Sequence, residues 1–156
     1  MIIWIKFTKK CLKVLFFLKK LKIISKKIQI TPSINGNRVT FQANIKTNAK
    51  VLENTGILDL DKPEIIQMIE QKLNTHIKKT ITEFTKQMLH KSTDSLYLGL
   101  VLARNEQAIW KTRVEQHWHQ VLPHSVSIHS SIHSKIKQIG IISKILDAYK
   151  KGKQHE

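Results

Sequence analysis

The chain has 156 residues, a length that commonly forms one domain with a hydrophobic core of its own. Its 27 Lys and Arg against 11 Asp and Glu leave a net charge of +16, which indicates an anionic partner such as nucleic acid, a membrane surface or an acidic protein. The single cysteine excludes an internal disulfide, and no run of about 18 apolar residues is present that would predict a transmembrane helix.

The first stretch of the chain is apolar but interrupted throughout by lysines. Lys9 and Lys10 directly precede Cys11 and the apolar run follows it, which is the wrong order for a secretory signal or for the lipobox of a lipoprotein. We therefore expect no signal peptide, lipobox or transmembrane helix in this chain. The short apolar run Val14–Leu18 is interpreted as a buried strand.

Two strands joined by a hairpin are predicted next. Leu21–Ile34 is the first, and Pro32 within it favours an edge position or a bulge. Asn35–Gly36 is a strong hairpin signal. Arg38–Val51 then alternates between apolar and polar residues, as a half-buried antiparallel strand does. The apolar face of this second strand consists of Val39, Phe41, Ala43 and Ile45.

The most regular stretch is Leu60–Lys91, which follows a turn region around Gly56. Its apolar residues recur at steps of three and four, a pattern that predicts one long amphipathic helix with a buried stripe. That stripe contains Ile66, Ile69, Leu73, Ile77, Ile81, Phe84 and Met88. Asp61 is predicted to be the N-cap of this helix.

Two shorter helices and a strand are predicted in the remainder of the chain. Ser95–Arg104 is expected to form a short helix, and Ala108–Leu122 a third helix that Pro123 ends. Val126–Ile136 alternates with a period of two, which predicts a strand, and Gly140 closes it.

The order strand, strand, helix, helix, helix, strand predicts an α+β fold. We expect the last strand to join the hairpin in one antiparallel sheet, with the long amphipathic helix packed across that sheet. Ile141–Tyr149 is expected to add a last short strand or helix, and residues 150–156 a polar tail.

Neither a metal site nor an active site is predicted. His117 and His119 point apart on a helix, and His129 and His133 lie roughly 13 Å apart along a strand. The serines of the last strand lack a nucleophile-elbow motif, the few carboxylates are not paired, and a glycine-rich phosphate loop is absent. We therefore expect a non-enzyme without catalytic, cofactor-binding or metal-binding residues, and we assign no small-molecule substrate.

Several features occur in an order that resembles a known family. The strand ending Ile45–Val51 is followed by the long helix, then by Asp94 and Gly99, then by Trp110 and Trp118, and then by the strand V-S-I-H-S-S-I. Across residues 15–140, this order resembles the C-terminal domain of the C subunit of spore germinant receptors, the Ger(x)C family of spore germination lipoproteins.

The resemblance implies a non-enzymatic subunit, or a fragment of one, that acts by protein–protein contact at the outer face of the spore inner membrane. Its expected partners are the integral-membrane subunits of the same receptor. Proteins of this family carry two further domains and a lipid-modified cysteine that we do not find here, so we expect a chain truncated at its N-terminus. We predict one domain over residues 15–149, a poorly matched stretch over residues 1–14, and the polar tail.

The basic charge leaves two interpretations open. Near an anionic leaflet each lysine would contribute about 1 kcal/mol to holding the domain at a membrane. The alternative is a basic nucleic-acid-binding module, although the lysines are spread over all segments and no such module is recognisable. Trp110 and Trp118 are interpreted as core anchors rather than as platforms on which bases stack.

Overall fold

The computed structural model describes residues 20–53 and 58–139, and it has the α+β architecture that the sequence predicts. The three strands are β1 (Lys20–Asn35), β2 (Arg38–Glu53) and β3 (Val126–Ile139). The four α-helices are α1 (Pro63–His90), α2 (Leu98–Asn105), α3 (Gln107–Ile109) and α4 (Trp118–Ser125), with a π-helical turn at Trp110–Val114 and a 3-10 turn at Glu115–His117 between the last two. The predictions for Val14–Leu18, Gly56, Gly140 and Ile141–Tyr149 lie outside the described residues.

The strands form one sheet in the order β1-β2-β3, so that β1 with its Pro32 lies at an edge, as predicted. The β1–β2 hairpin also forms as predicted, but its loop residues are Gly36 and Asn37 rather than Asn35 and Gly36. Gly36 has a φ of 58°, and glycine adopts this left-handed conformation without the steric penalty of a Cβ.

Side-chain hydrogen bonds fix the direction of each strand pair. Thr31 bonds to the carbonyl of Gln42 and Ser25 to Asn48, so residue numbers fall along β1 as they rise along β2, and the hairpin is antiparallel. The hydroxyl pairs Thr40/Ser127 and Thr47/Ser134 are both separated by 87 residues, a constant offset that makes β3 parallel to β2. The sheet is therefore mixed, and the expectation of a wholly antiparallel sheet does not hold for β3. A parallel neighbour needs a long crossover connection, and the helices α1 to α4 supply it.

The long helix α1 buries five of the seven residues of the predicted stripe, while Ile66 is half-buried and Phe84 is exposed. Its buried residues Ile69, Leu73, Ile77, Ile81 and Thr85 are spaced by four, and each step of four turns about 40° beyond a full turn of the helix. The buried face therefore winds around the helix axis and passes through Thr85 and Met88. Phe84, which was predicted to be buried, falls beside this face and is 38% exposed.

The start of α1 and the end of α4 also differ from the predicted bounds. The carbonyl of Lys62 accepts the N–H groups of Ile65 and Ile66, which places the cap at Lys62 rather than at Asp61. Pro123 lies inside α4 instead of ending the preceding helix. The complete burial of Leu122 next to it explains why the helix continues, since packing overrides intrinsic propensity.

Contacts group the chain into two compact units. Among the described residues, the first unit contains Ile28–Ile45 and Ile77–Ile132, and the second contains residues 20–27, 46–53, 58–76 and 133–139. The first unit buries apolar side chains from β2, α1, α2, α4 and β3, among them Phe41, Ile77, Leu98, Leu102 and Leu122. The second buries Leu21, Ala49, Val51, Leu60, Ile69 and Leu73.

Side chains of α1 close the outer edge of β3 within the second unit. The backbone N–H of Ser134 donates to Oδ1 of Asn74, and that of Ile136 donates to Oε1 of Glu70, each at 2.8 Å. The buried hydroxyls of Thr47 and Ser134 bond to each other at 2.6 Å. In the described part of the chain β3 is an edge strand, and these contacts satisfy two donors that such a strand would otherwise leave open.

Candidate functional site around Asp94

Four residues that the sequence analysis singled out, Asp94, Gly99, Trp110 and Trp118, meet in the first unit and are called the Asp94 cluster. The Asp94 carboxylate accepts three hydrogen bonds: Oδ1 from the N–H of Leu98 at 2.7 Å, and Oδ2 from the N–H of Gly99 at 2.8 Å and from Nε1 of Trp118 at 3.0 Å. It thus satisfies the first two N–H groups of α2, where a negative charge also favours the helix dipole.

Gly99 is required by the close approach of both tryptophans. A Cβ at Gly99 would lie 2.9 Å from Nε1 of Trp118 and 3.0 Å from Cη2 of Trp110. The two indole rings pack edge to face with their centroids 5.5 Å apart. Trp118 is 7% exposed, which confirms that it is a core anchor, whereas Trp110 is half-buried.

Tyr97 is the most unusual residue next to this cluster. Its backbone lies in the left-handed region, with φ 55° and ψ 41°, directly before the first residue of α2. For a residue with a side chain this conformation costs roughly 1–2 kcal/mol. Leu96 and Leu98 on either side are buried, yet Tyr97 itself is 55% exposed. The buried leucines and the Asp94 carboxylate hold the backbone so that the phenol ring points into solvent.

Two exposed side chains of α2 follow Tyr97 in the sequence. Leu100 and Arg104 are four residues apart on one side of the helix, Tyr97 directly precedes the helix, and all three are exposed. We call Tyr97, Leu100 and Arg104 the Tyr97 stripe. Tyrosine and arginine are enriched among the residues that dominate the free energy of protein–protein binding.

The left-handed backbone and exposure of Tyr97 were not predicted from the sequence. Left-handed backbone is normally indicated by glycine or asparagine, and neither occupies this position. The segment Leu96-Tyr97-Leu98 by itself suggests a strand or helix interior. The one usable signal was Asp94, because an aspartate shortly before a helix often accepts its first N–H groups.

The four histidines considered as metal ligands in the sequence lie on the surface. His117 lies in the 3-10 turn and His119 in α4, while His129 and His133 lie on the outward face of β3, and all four are exposed. Over residues 20–53 and 58–139, no group of three or more His, Cys, Asp or Glu side chains is placed to hold a metal ion. Within the same residues, none of the helices has both the length and the apolar character that crossing a membrane demands.

The chain matches a protein-family model and the fold of a solved structure. The family model described as spore germination B3/GerAC like, C-terminal, matches residues 5–140, a match that begins upstream of Leu15. A solved structure described as the crystal structure of the GerBC protein superposes with a TM-score of 0.57 at 20% identity. The superposition covers 74% of this chain but 36% of the GerBC chain, so this chain spans about a third of that protein. No curated protein matches the chain.

Proposed function

This chain belongs to the spore germination B3/GerAC-like C-terminal family, and on that premise we propose that it acts in spore germination as part of a germinant-receptor C subunit. The proposed role is non-enzymatic and consists of binding other subunits of the receptor. The observation that carries the proposal is the family match over residues 5–140, supported by the common fold with GerBC.

The Tyr97 stripe is the proposed contact surface of the first unit. Its support is that an exposed tyrosine directly precedes, and an exposed leucine and arginine lie on, a helix whose first turn is fixed by the partly buried hydrogen bonds of Asp94. Side chains on a backbone that is already ordered lose less conformational entropy when they bind. The proposed partners are the integral-membrane subunits of the receptor, which would place this domain at the outer face of the spore inner membrane.

Replacing Tyr97 by glycine tests this surface without weakening the fold. Glycine adopts the left-handed conformation freely, so Tyr97→Gly should leave the melting temperature unchanged or slightly higher. Loss of the ring should weaken partner binding by about tenfold. Nutrient-triggered germination, followed as the fall in optical density of spores whose own copy carries the change, should slow accordingly.

Two controls distinguish the role of the Tyr97 stripe from the receptor role of the whole protein. Gln116→Ala changes an exposed polar residue of the same unit and should leave germination unchanged. Germination of Tyr97→Gly spores at the normal rate would show that the Tyr97 stripe is not the contact surface. Normal germination of spores in which the whole gene is deleted would refute the receptor role itself.

A further inference from the structure

The outward face of the sheet in the second unit carries a compact group of lysines. Ser25 bonds to Asn48, so the hairpin register sets Lys27 directly opposite Lys46 on the same face. The constant offset between β2 and β3 sets Lys50 beside Lys137 in the same way. We call Lys27, Lys46, Lys50, Lys135 and Lys137 the lysine face. Directly opposed residues have Cβ atoms about 5 Å apart, so this is a close group of cations.

Acidic side chains are missing from the described part of this face. Among the described residues of the second unit, the outward face of the three strands contains neither Asp nor Glu. None of the five lysines forms an ion pair with a described residue, and four of the five are exposed, Lys50 being half-buried. Like charges that face each other across strands destabilise a sheet, so the fold gains nothing from this arrangement. An anionic surface placed against the lysine face would remove the repulsion.

We propose that the lysine face binds the surface of an anionic phospholipid bilayer. The lysines lie on three adjacent strands, so their side chains rise from one broad face, and a bilayer presents a matching layer of phosphates. Single-stranded nucleic acid is bound on aromatic platforms, and the described part of this face holds no Phe, Tyr or Trp. A double helix admits an α-helix or a two-stranded ribbon into its groove rather than the face of a sheet.

This inference rests on the proposed function, because that function is what brings the domain close to a membrane. It adds an orientation: the outward face of the second unit turns toward the lipid headgroups. Attraction to an anionic leaflet is worth about fivefold in affinity per lysine, so the loss of three lysines should weaken binding by roughly 100-fold. The effect should fall as salt rises, because the Debye length is only about 8 Å at physiological ionic strength.

The test is sedimentation of the full chain with vesicles. Phosphatidylcholine vesicles containing phosphatidylglycerol are compared with vesicles of phosphatidylcholine alone. The variant K46Q/K50Q/K135Q removes three charges from the lysine face. The matched control K78Q/K86Q/K111Q removes three charges from exposed lysines of the first unit, so both variants have the same net charge. Both should fold, since none of these lysines is buried.

The expected result is a preference for the anionic vesicles that the lysine-face variant loses and the control largely keeps. Equal losses in the two variants would show that only net charge matters and would overturn the proposal. Equal binding of the unchanged chain to both kinds of vesicle would also overturn it. The proposal would likewise be overturned if a duplex or single-stranded oligonucleotide bound through the lysine face while the chain showed no preference for anionic vesicles. Each outcome is independent of the germination assay, so the receptor role and the lipid surface can fail separately.

Discussion

The Asp94 cluster and the lysine face differ in whether their charged groups have partners among the described residues. The Asp94 carboxylate accepts three hydrogen bonds from its own chain, and these bonds order the start of α2 directly after Tyr97. The lysines on the sheet lie beside one another without a described carboxylate partner. An internally satisfied charge stabilises the fold and shapes a rigid surface. A charge left without a partner weakens the fold slightly and remains available to an external partner.

The largest change in stability is expected from removing the Asp94 carboxylate. Asp94→Ala leaves the N–H groups of Leu98 and Gly99 and Nε1 of Trp118 without their acceptor, and we expect a loss of about 3 kcal/mol in the free energy of unfolding. Urea denaturation measures it. Asp59→Ala is the control, because Asp59 accepts one exposed backbone bond and its loss should change stability by about 0.5 kcal/mol at most. Similar values for both variants would show that the cluster does not depend on Asp94.

The second test fills the space between the tryptophans. Gly99→Ala places a methyl group within about 3 Å of both rings, which must shift, and overpacking of this kind should cost about 2 kcal/mol. Gly36→Ala is the matched control, since a Cβ at Gly36 meets nothing within 4 Å and only the positive φ opposes it. That control should cost about 1 kcal/mol. If Gly36→Ala were the more damaging change, the close approach at Gly99 would not be what stabilises the cluster.

The smallest expected effect has the opposite sign. Lys46→Gln removes a charge that faces Lys27 across the hairpin, so it should raise stability by about 0.5 kcal/mol in low salt. The gain should disappear in high salt, where repulsion between exposed charges is screened. Thermal unfolding at two salt concentrations measures this, with Lys78→Gln on α1 as the control. A loss of stability would mean that Lys46 stabilises the fold instead of destabilising it.

Regular periodicity accounts for the parts of the fold that the sequence predicts well. The alternation Val39, Phe41, Ala43, Ile45 places β2, and the steps of three and four place α1, because each pattern matches one backbone geometry. The resemblance to the family identified Asp94, Gly99, Trp110 and Trp118 as one ordered set in the sequence. Their hydrogen bonds and ring contacts could not be read from spacing, because they depend on how the helices fold against one another.

The features that the sequence did not predict depend on tertiary packing. The direction of β3 is set by the path of the chain through four helices, which alternation within Val126–Ile136 does not contain. Phe84 has the spacing of a buried residue, but the winding of the buried face along α1 leaves it exposed. Tyr97 adopts a conformation that its residue type disfavours, and it is explained by the hydrogen bonds of Asp94 together with the burial of Leu96 and Leu98.

The contacts of Asn74 and Glu70 with β3 limit how this protein can associate. An exposed strand edge is a template on which another chain can add a strand, and repeated addition leads to polymers. Here the N–H groups of Ser134 and Ile136 are already occupied by side chains of α1. At these positions an incoming strand would have to displace two helix side chains before it gained a single ladder bond. Strand addition and fibre growth along the β3 edge are therefore opposed at these two positions from within the fold.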